Sequence, residues 1–134
     1  MDINSNLIHL DLLGDARGKL AVFEANRNVP FDIKRVFYIF NVEKNKIRGE
    51  HAHYKTKQVL IALKGSCKVK LNNGFQEEEI ILDNPQLALI QQEMIWGTMS
   101  EFSEDCILMV LANELYDESD YIRDYKVFLK EIQK

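Results

Sequence analysis

The stretch Arg48-Gly49-Glu50-His51-Ala52-His53-Tyr54-Lys55-Thr56-Lys57-Gln58-Val59-Leu60-Ile61-Ala62-Leu63-Lys64-Gly65 decides how the chain is read. Its second half is a short apolar run closed by a glycine, the pattern of a strand ending in a turn. In its first half His51 and His53 are one residue apart, so an extended backbone projects both imidazoles from the same face. Histidine titrates near neutrality, and two rings side by side can move protons between adjacent positions of a substrate. Two surface histidines on an edge strand have the same spacing, so His-x-His alone does not choose between the readings.

Working outward, short β-rich runs separated by turn residues fill the chain from Lys19 onward, which predicts an all-β, antiparallel sandwich or barrel. The runs are Lys19 to Glu24, Lys34 to Asn41, Thr56 to Leu63, Ser66 to Leu71, Phe75 to Leu82, Leu87 to Gln91, Ile95 to Met99 and Asp105 to Ala112. Asn72-Asn73-Gly74 marks a hairpin, because Asn and Gly accept the positive φ of tight turns. At the end the period changes: Tyr121, Ile122, Tyr125, Phe128, Leu129 and Ile132 recur at helical spacing after the acidic Asp117, Glu118 and Asp120, predicting one C-terminal helix whose aromatic stripe packs on the sheet.

The 134 residues suffice for one domain, 1–134, with a full core. The 17 basic and 21 acidic residues are mixed along the chain and give a net charge of −4. No basic face or arm emerges, which argues against a nucleic-acid partner. No apolar run approaches the roughly 20 residues that span a bilayer, and no secretory start is visible. A cytoplasmic protein without membrane contact is expected. Cys67 and Cys106 lie in separate apolar runs without Cys-x-x-Cys spacing and read as buried free thiols.

The spacing His51-x-His53-x4-Gln58-x6-Gly65 resembles the first cupin motif, G-x5-H-x-H-x3-4-E-x6-G, with Gln58 at the glutamate position and the leading glycine displaced to Gly49. Metal-binding cupins add a further histidine from a second motif. The corresponding stretch, Pro85 to Gly97, has none, and His9 precedes the barrel strands. Two neutral imidazoles and an amide make a weak metal site, so the pair is read as a metal-free, cofactor-free acid and base.

Longer segments carry a closer resemblance. Val29 to Phe40, Arg48 to His53, Asp15 to Leu20, Val59 to Ser66 and Tyr116 to Tyr125 together resemble the dTDP-sugar 3,4-ketoisomerases, in that family's order and over nearly the whole chain. The resemblance implies a cupin-type (RmlC-like) antiparallel jelly-roll barrel with one C-terminal helix, and a homodimer with exchanged N-terminal strands. It further implies a dTDP-linked 4-keto-6-deoxyhexose as substrate, whose 3-keto product feeds amination at C3. By the same analogy His51 is the base working at carbon and His53 the relay between oxygens, although the sequence does not separate the two roles. Arg48 is a donor to an enediolate or a phosphate. Arg17, Arg35, Tyr38, Gln58, Lys64 and Trp96 complete the expected substrate pocket, with Arg35 and Lys64 toward the pyrophosphate and Trp96 either on thymine or in the core.

Two departures from the family pattern stand out. Phe37-Tyr38 replaces two consecutive tyrosines, and Gly97 follows the tryptophan where a large polar residue is common. Arg17 inclines the reading to the galacto product. The competing readings are a non-catalytic sugar-nucleotide-binding cupin, a 3,5-epimerase on the same barrel and a metal-dependent cupin.

Overall fold

The computed structural model describes residues 2–134. A short 3-10 turn (Ile3–Asn6) leads into β1 (Leu7–His9), followed by a small hairpin of β2 (Leu13–Asp15) and β3 (Gly18–Leu20). Then come β4 (Arg35–Phe40), β5 (Arg48–His53), β6 (Gln58–Lys64), β7 (Cys67–Asn72), β8 (Glu77–Leu82), β9 (Leu87–Gln91), β10 (Trp96–Ser100) and β11 (Ile107–Ala112). A 3-10 turn (Glu118–Asp120), β12 (Tyr121–Ile122) and the helix α1 (Tyr125–Glu131) close the chain.

The strands form two five-stranded sheets, β1-β9-β6-β11-β4 and β12-β5-β10-β7-β8, beside the separate hairpin β2-β3. Every named ladder is antiparallel. Consecutive β6 and β7 lie in different sheets, so Gly65, at φ +66°, turns the chain from one sheet to the other where L side chains are disfavoured. This is the jelly-roll barrel with one C-terminal helix, and its alternation explains the sequence pattern. Leu60, Ala62, Leu89, Leu108 and Val110 of the first sheet meet Cys67, Val69, Leu71 and Leu82 of the second in one buried cluster. The outer face of the first sheet (Val59, Ile61, Ala88, Leu111) is covered by Leu10, Val29 and Phe31, which is why β6 is apolar on both faces. The outer face of the second sheet carries α1, whose fully buried Phe128 packs with Ala52 and Ile122.

The structure corrects three expected elements. The strand expected at Lys19 to Glu24 is only the second arm of the hairpin, ending at Leu20. Arg48–His53, which lacks a continuous apolar face, is a full strand. The helix begins at Tyr125, because Asp124 caps it by accepting from the Lys126 and Val127 amides. The acidic run Asp117 to Asp120 instead builds a 3-10 turn, and Tyr121 and Ile122 then pair with β5.

Cys67 and Cys106 are both buried free thiols, and burial pushes the Cys67 thiol up to about 12. Among the described residues, no helix is long and apolar enough to cross a membrane.

Candidate active site

Cross-strand partners in an antiparallel ladder share a face, so register shows which side chains look into the barrel. Gly97 pairs with both Leu71, a core residue between the sheets, and His51. His51 therefore points inward, and His53 with it. Between Gly97 and Thr98 the register slips, opposite Gly49 at φ +84° and Glu50 at φ +58°. This is a β-bulge, a device that re-aims side chains beside active sites. Glycine is required at position 49, since a Cβ there would lie 2.9 Å from the Gly97 carbonyl oxygen.

The two imidazole centroids are 4.9 Å apart with the planes nearly perpendicular. His51 Nδ1 lies 3.1 Å from the Gly49 carbonyl oxygen. A carbonyl only accepts, so Nδ1 carries the hydrogen and the Nε2 lone pair is left for a proton. Burial lowers the pKa of His51, with the Gly49 bond partly opposing it. Burial, with His51 beside it, lowers His53 to about 4. Both rings are therefore neutral at pH 7, able to accept a proton. His53 Nε2 is buried with no hydrogen-bond partner, as is Arg35 Nε.

The pH dependence of stability follows from these shifts. The unfolded chain takes up the His53 proton near pH 6.5 and the folded one only near pH 4, so stability is fully present above about 6.5 and is lost as pH falls toward 4. A shift of that size is worth on the order of 3 kcal/mol. The urea midpoint is expected to be clearly lower at pH 4.5 than at pH 7. Equal midpoints would show that His53 is not held neutral.

A cavity of about 290 Å³ opens over His51, lined by Phe37, Arg48, Gln58, Tyr121 and Arg123 among others, while His53 lies beside His51 and outside the lining. The cavity shares Ile39, Ile47 and Arg48 with an outer cleft of about 560 Å³ along residues 41–46. Arg48 thus stands where the two spaces join.

Of the other expected pocket residues, Gln58 is buried on the inner face opposite Gln91, and Arg35 is on the inner face with its guanidinium 5.2 Å from the Phe37 ring centroid. Tyr38 pairs with Met109 on the outer side and is 63% exposed, so Phe37 is the β4 aromatic that faces the cavity. Lys64 is exposed at the far end of β6, roughly 20 Å from Gln58. Trp96 points outward and packs on Tyr125 and Phe128 of α1, with ring centroids 5.2 and 5.8 Å away. Arg17 projects from the tip of the hairpin, paired with Asp15 at 2.7 Å and nearly fully exposed. Gly97 leaves its space to Gln91, whose buried amide nitrogen lies 2.5 Å from where a Cβ would be.

Three residues the sequence did not single out belong to the site. Tyr121 and Arg123 line the cavity, and Glu118 holds Arg123. Their helical-looking spacing concealed them; the Asp124 cap was the available signal that the helix starts later. Among the described residues, no cluster of three or more His, Cys, Asp or Glu side chains is arranged to hold a metal ion.

A jelly-roll barrel with two neutral, inward-facing histidines on a bulged strand defines a cupin with a pair of titratable side chains in its interior. The model of the FdtA family, described as WxcM-like, C-terminal, matches residues 3–133. The chain is 46% identical over 132 residues to the TDP-4-oxo-6-deoxy-alpha-D-glucose-3,4-oxoisomerase of Aneurinibacillus thermoaerophilus, covering 98% of this chain and 95% of the relative. Among solved structures it is similar to a 3,4-ketoisomerase from Helicobacter canadensis (TM-score 0.93, 39% identity, 96% of each chain). It is also similar to a mutant of the 3,4-ketoisomerase QdtA from Thermoanaerobacterium thermosaccharolyticum in complex with TDP-4-keto-6-deoxyglucose (TM-score 0.92, 42% identity, 95% of this chain and 92% of that one). The chain belongs to the dTDP-sugar 3,4-ketoisomerase family, WxcM-like.

Proposed function

We propose that this chain is a single catalytic domain that converts a dTDP-linked 4-keto-6-deoxyhexose to its 3-keto isomer, with His51 and His53 as the proton-transfer pair. The observation that carries this reading is the pair itself: two neutral imidazoles 4.9 Å apart, His51 in the wall of the cavity and His53 beside it with its Nε2 buried and unpartnered. The relatives described above, at 39–46% identity, carry this activity in their names.

The chemistry needs one base and one relay. A hydrogen on C3 is acidified by the C4 ketone; the His51 Nε2 lone pair takes it, and the electron pair moves into a C3–C4 double bond as the ketone oxygen becomes an enediolate oxygen. A proton passes from the C3 hydroxyl to the C4 oxygen through His53, and return of a proton to C4 leaves the ketone at C3. Arg35, on the inner face with a buried unpartnered Nε, and Arg48, in the cavity lining, are the cationic donors assigned to stabilise the enediolate. Arg48, between cavity and outer cleft, also suits the pyrophosphate, with the hexose inside and the nucleotide outside. Gln58, in the cavity lining, is assigned to hydrogen-bond the sugar.

We further propose a homodimer. The hairpin β2–β3 exposes Leu12, Leu13, Leu20 and Val22, and the edge strand β4 exposes Val36, Tyr38 and Phe40. Exchange of N-terminal strands between copies covers both, and it is the arrangement in which Arg17 leaves its own chain for a neighbouring cavity and biases reprotonation of C4 toward the galacto product. Two buried free thiols fit a reducing, cytoplasmic setting.

The deciding measurement is proton NMR of dTDP-4-keto-6-deoxyglucose in deuterated water with the purified protein. Loss of the C3 proton signal and migration of the ketone to C3 are expected, undiminished by a strong chelator. Exchange confined to C5, or binding without exchange, would remove the isomerase reading in favour of an epimerase or a binding protein.

A further inference from the structure

The Tyr121 ring touches both imidazoles, with centroids 5.0 Å from His51 and 4.4 Å from His53. The guanidinium carbon of Arg123 lies 4.3 Å from the centroid of the same ring, within cation–π range. Arg123 is held by a fork–fork pair with Glu118, Nε donating to Oε1 at 2.6 Å and Nη2 to Oε2 at 3.0 Å. The Tyr116 hydroxyl donates to the same carboxylate, and its ring lies 5.6 Å from Tyr121. Exposed ion pairs contribute little to stability. This one is half exposed, yet three contacts fix it against a ring that borders both histidines.

We infer that Arg123, pinned by Glu118 against Tyr121, is a positioning residue for the histidine pair, fixing the placement and the charge surroundings of both imidazoles through that ring. The inference rests on the isomerase reading above. The other charged or titratable groups facing the pair are Arg35 from β4, Arg48 from β5 and Asp120 from the 3-10 turn before β12, while β6 and β10 present the uncharged Gln58 and Gly97. Arg123 disfavours protonation of both rings, and the Glu118 carboxylate favours protonation of His51. Burial is the main cause that keeps both rings neutral, and Arg123, held in place by Glu118, adds to it from across the Tyr121 ring.

The test compares Arg123→Gln, Arg123→Lys and Glu118→Gln by steady-state kinetics and by NMR titration of the histidine ring protons without substrate. Arg123→Gln is expected to raise the apparent pKa of both histidines, to move the acid limb of kcat/KM to higher pH and to lower kcat about tenfold at an unchanged KM, the pattern of an interaction that acts on the transition state. Arg123→Lys restores the titration. Glu118→Gln, which removes the pin but leaves the cation, is expected to lower kcat at an unchanged KM as Arg123→Gln does. Unmoved titrations, or a rise in KM alone with kcat intact, would overturn the inference, the latter marking Arg123 as a substrate contact. An inactive wild-type protein would count against the isomerase reading instead, because the titrations need no substrate.

Discussion

Replacing His51 with asparagine lowers kcat by about 10²- to 10⁴-fold, the range supplied by a positioned general base, while binding of the substrate and of TDP persists. Asparagine keeps a side-chain N–H near the Nδ1 position, where it can still donate to the Gly49 carbonyl, but brings no basic nitrogen to the Nε2 position. The bulge at Gly49 and Glu50 is set by backbone conformation and by the Gly97 carbonyl, so the strand keeps its course without the imidazole. Single-turnover NMR and equilibrium binding of TDP check the two halves separately. Turnover within a few-fold of the wild type would remove His51 from the base role, and loss of TDP binding would place it in the nucleotide site. The substrate-bound QdtA structure is of an H-to-N mutant, which shows for that relative that such a substitution leaves a complex that can be captured.

The barrel was legible because its inner and outer faces are both buried at the centre: Val59 to Ala62 is apolar on each face, and such runs stand out against the turns at Gly65 and Asn72-Asn73-Gly74. Arg48–His53 was less so, since its one core residue on the outer face, Ala52, is small and the residues facing inward are polar, as a cavity demands. That both histidines share one face could be read from their spacing on an extended backbone, whereas the pocket around them could not. A strand offers two faces, and a family pattern names neighbours without saying which face each takes. Hence Tyr38 and Trp96, adjacent to the inward Phe37 and Gly97, lie on the far side of their sheets. Gly97 stands where a large polar residue is common, and the amide of Gln91 occupies the place a side chain would take, an exchange between strands that no local pattern records. Arg17 illustrates a different limit: a residue on an exposed hairpin has its function decided by where the hairpin docks.

Asp120→Ala tests how the last strand holds the site together. Asp120 is 5% exposed, and its carboxylate accepts from the Lys55 amide at 2.9 Å, from the Thr56 amide at 3.2 Å and from the Thr56 hydroxyl. Its own carbonyl accepts from the Tyr54 amide at 3.0 Å. One residue therefore ties the chain leaving β5 to the turn entering β12, immediately before Tyr121, which packs on both histidines. Alanine removes the side-chain acceptor and leaves buried donors without partners, a loss of about 2–4 kcal/mol. For a domain of this size that lowers Tm by about 10 °C. Asparagine retains one acceptor oxygen but turns an NH2 group toward N–H and O–H donors, so it recovers only part of the loss. The distinctive expectation concerns activity measured well below Tm: with β12 less firmly held, the Tyr121 ring no longer fixes the imidazoles, and kcat falls in both variants although neither removes a group that touches the substrate. Thermal denaturation followed by circular dichroism, together with kinetics at low temperature, separates the two effects. An unchanged Tm would show that the Lys55 and Thr56 donors find other partners. A lowered Tm with full kcat would show that the histidine pair holds its geometry without the strand that borders it.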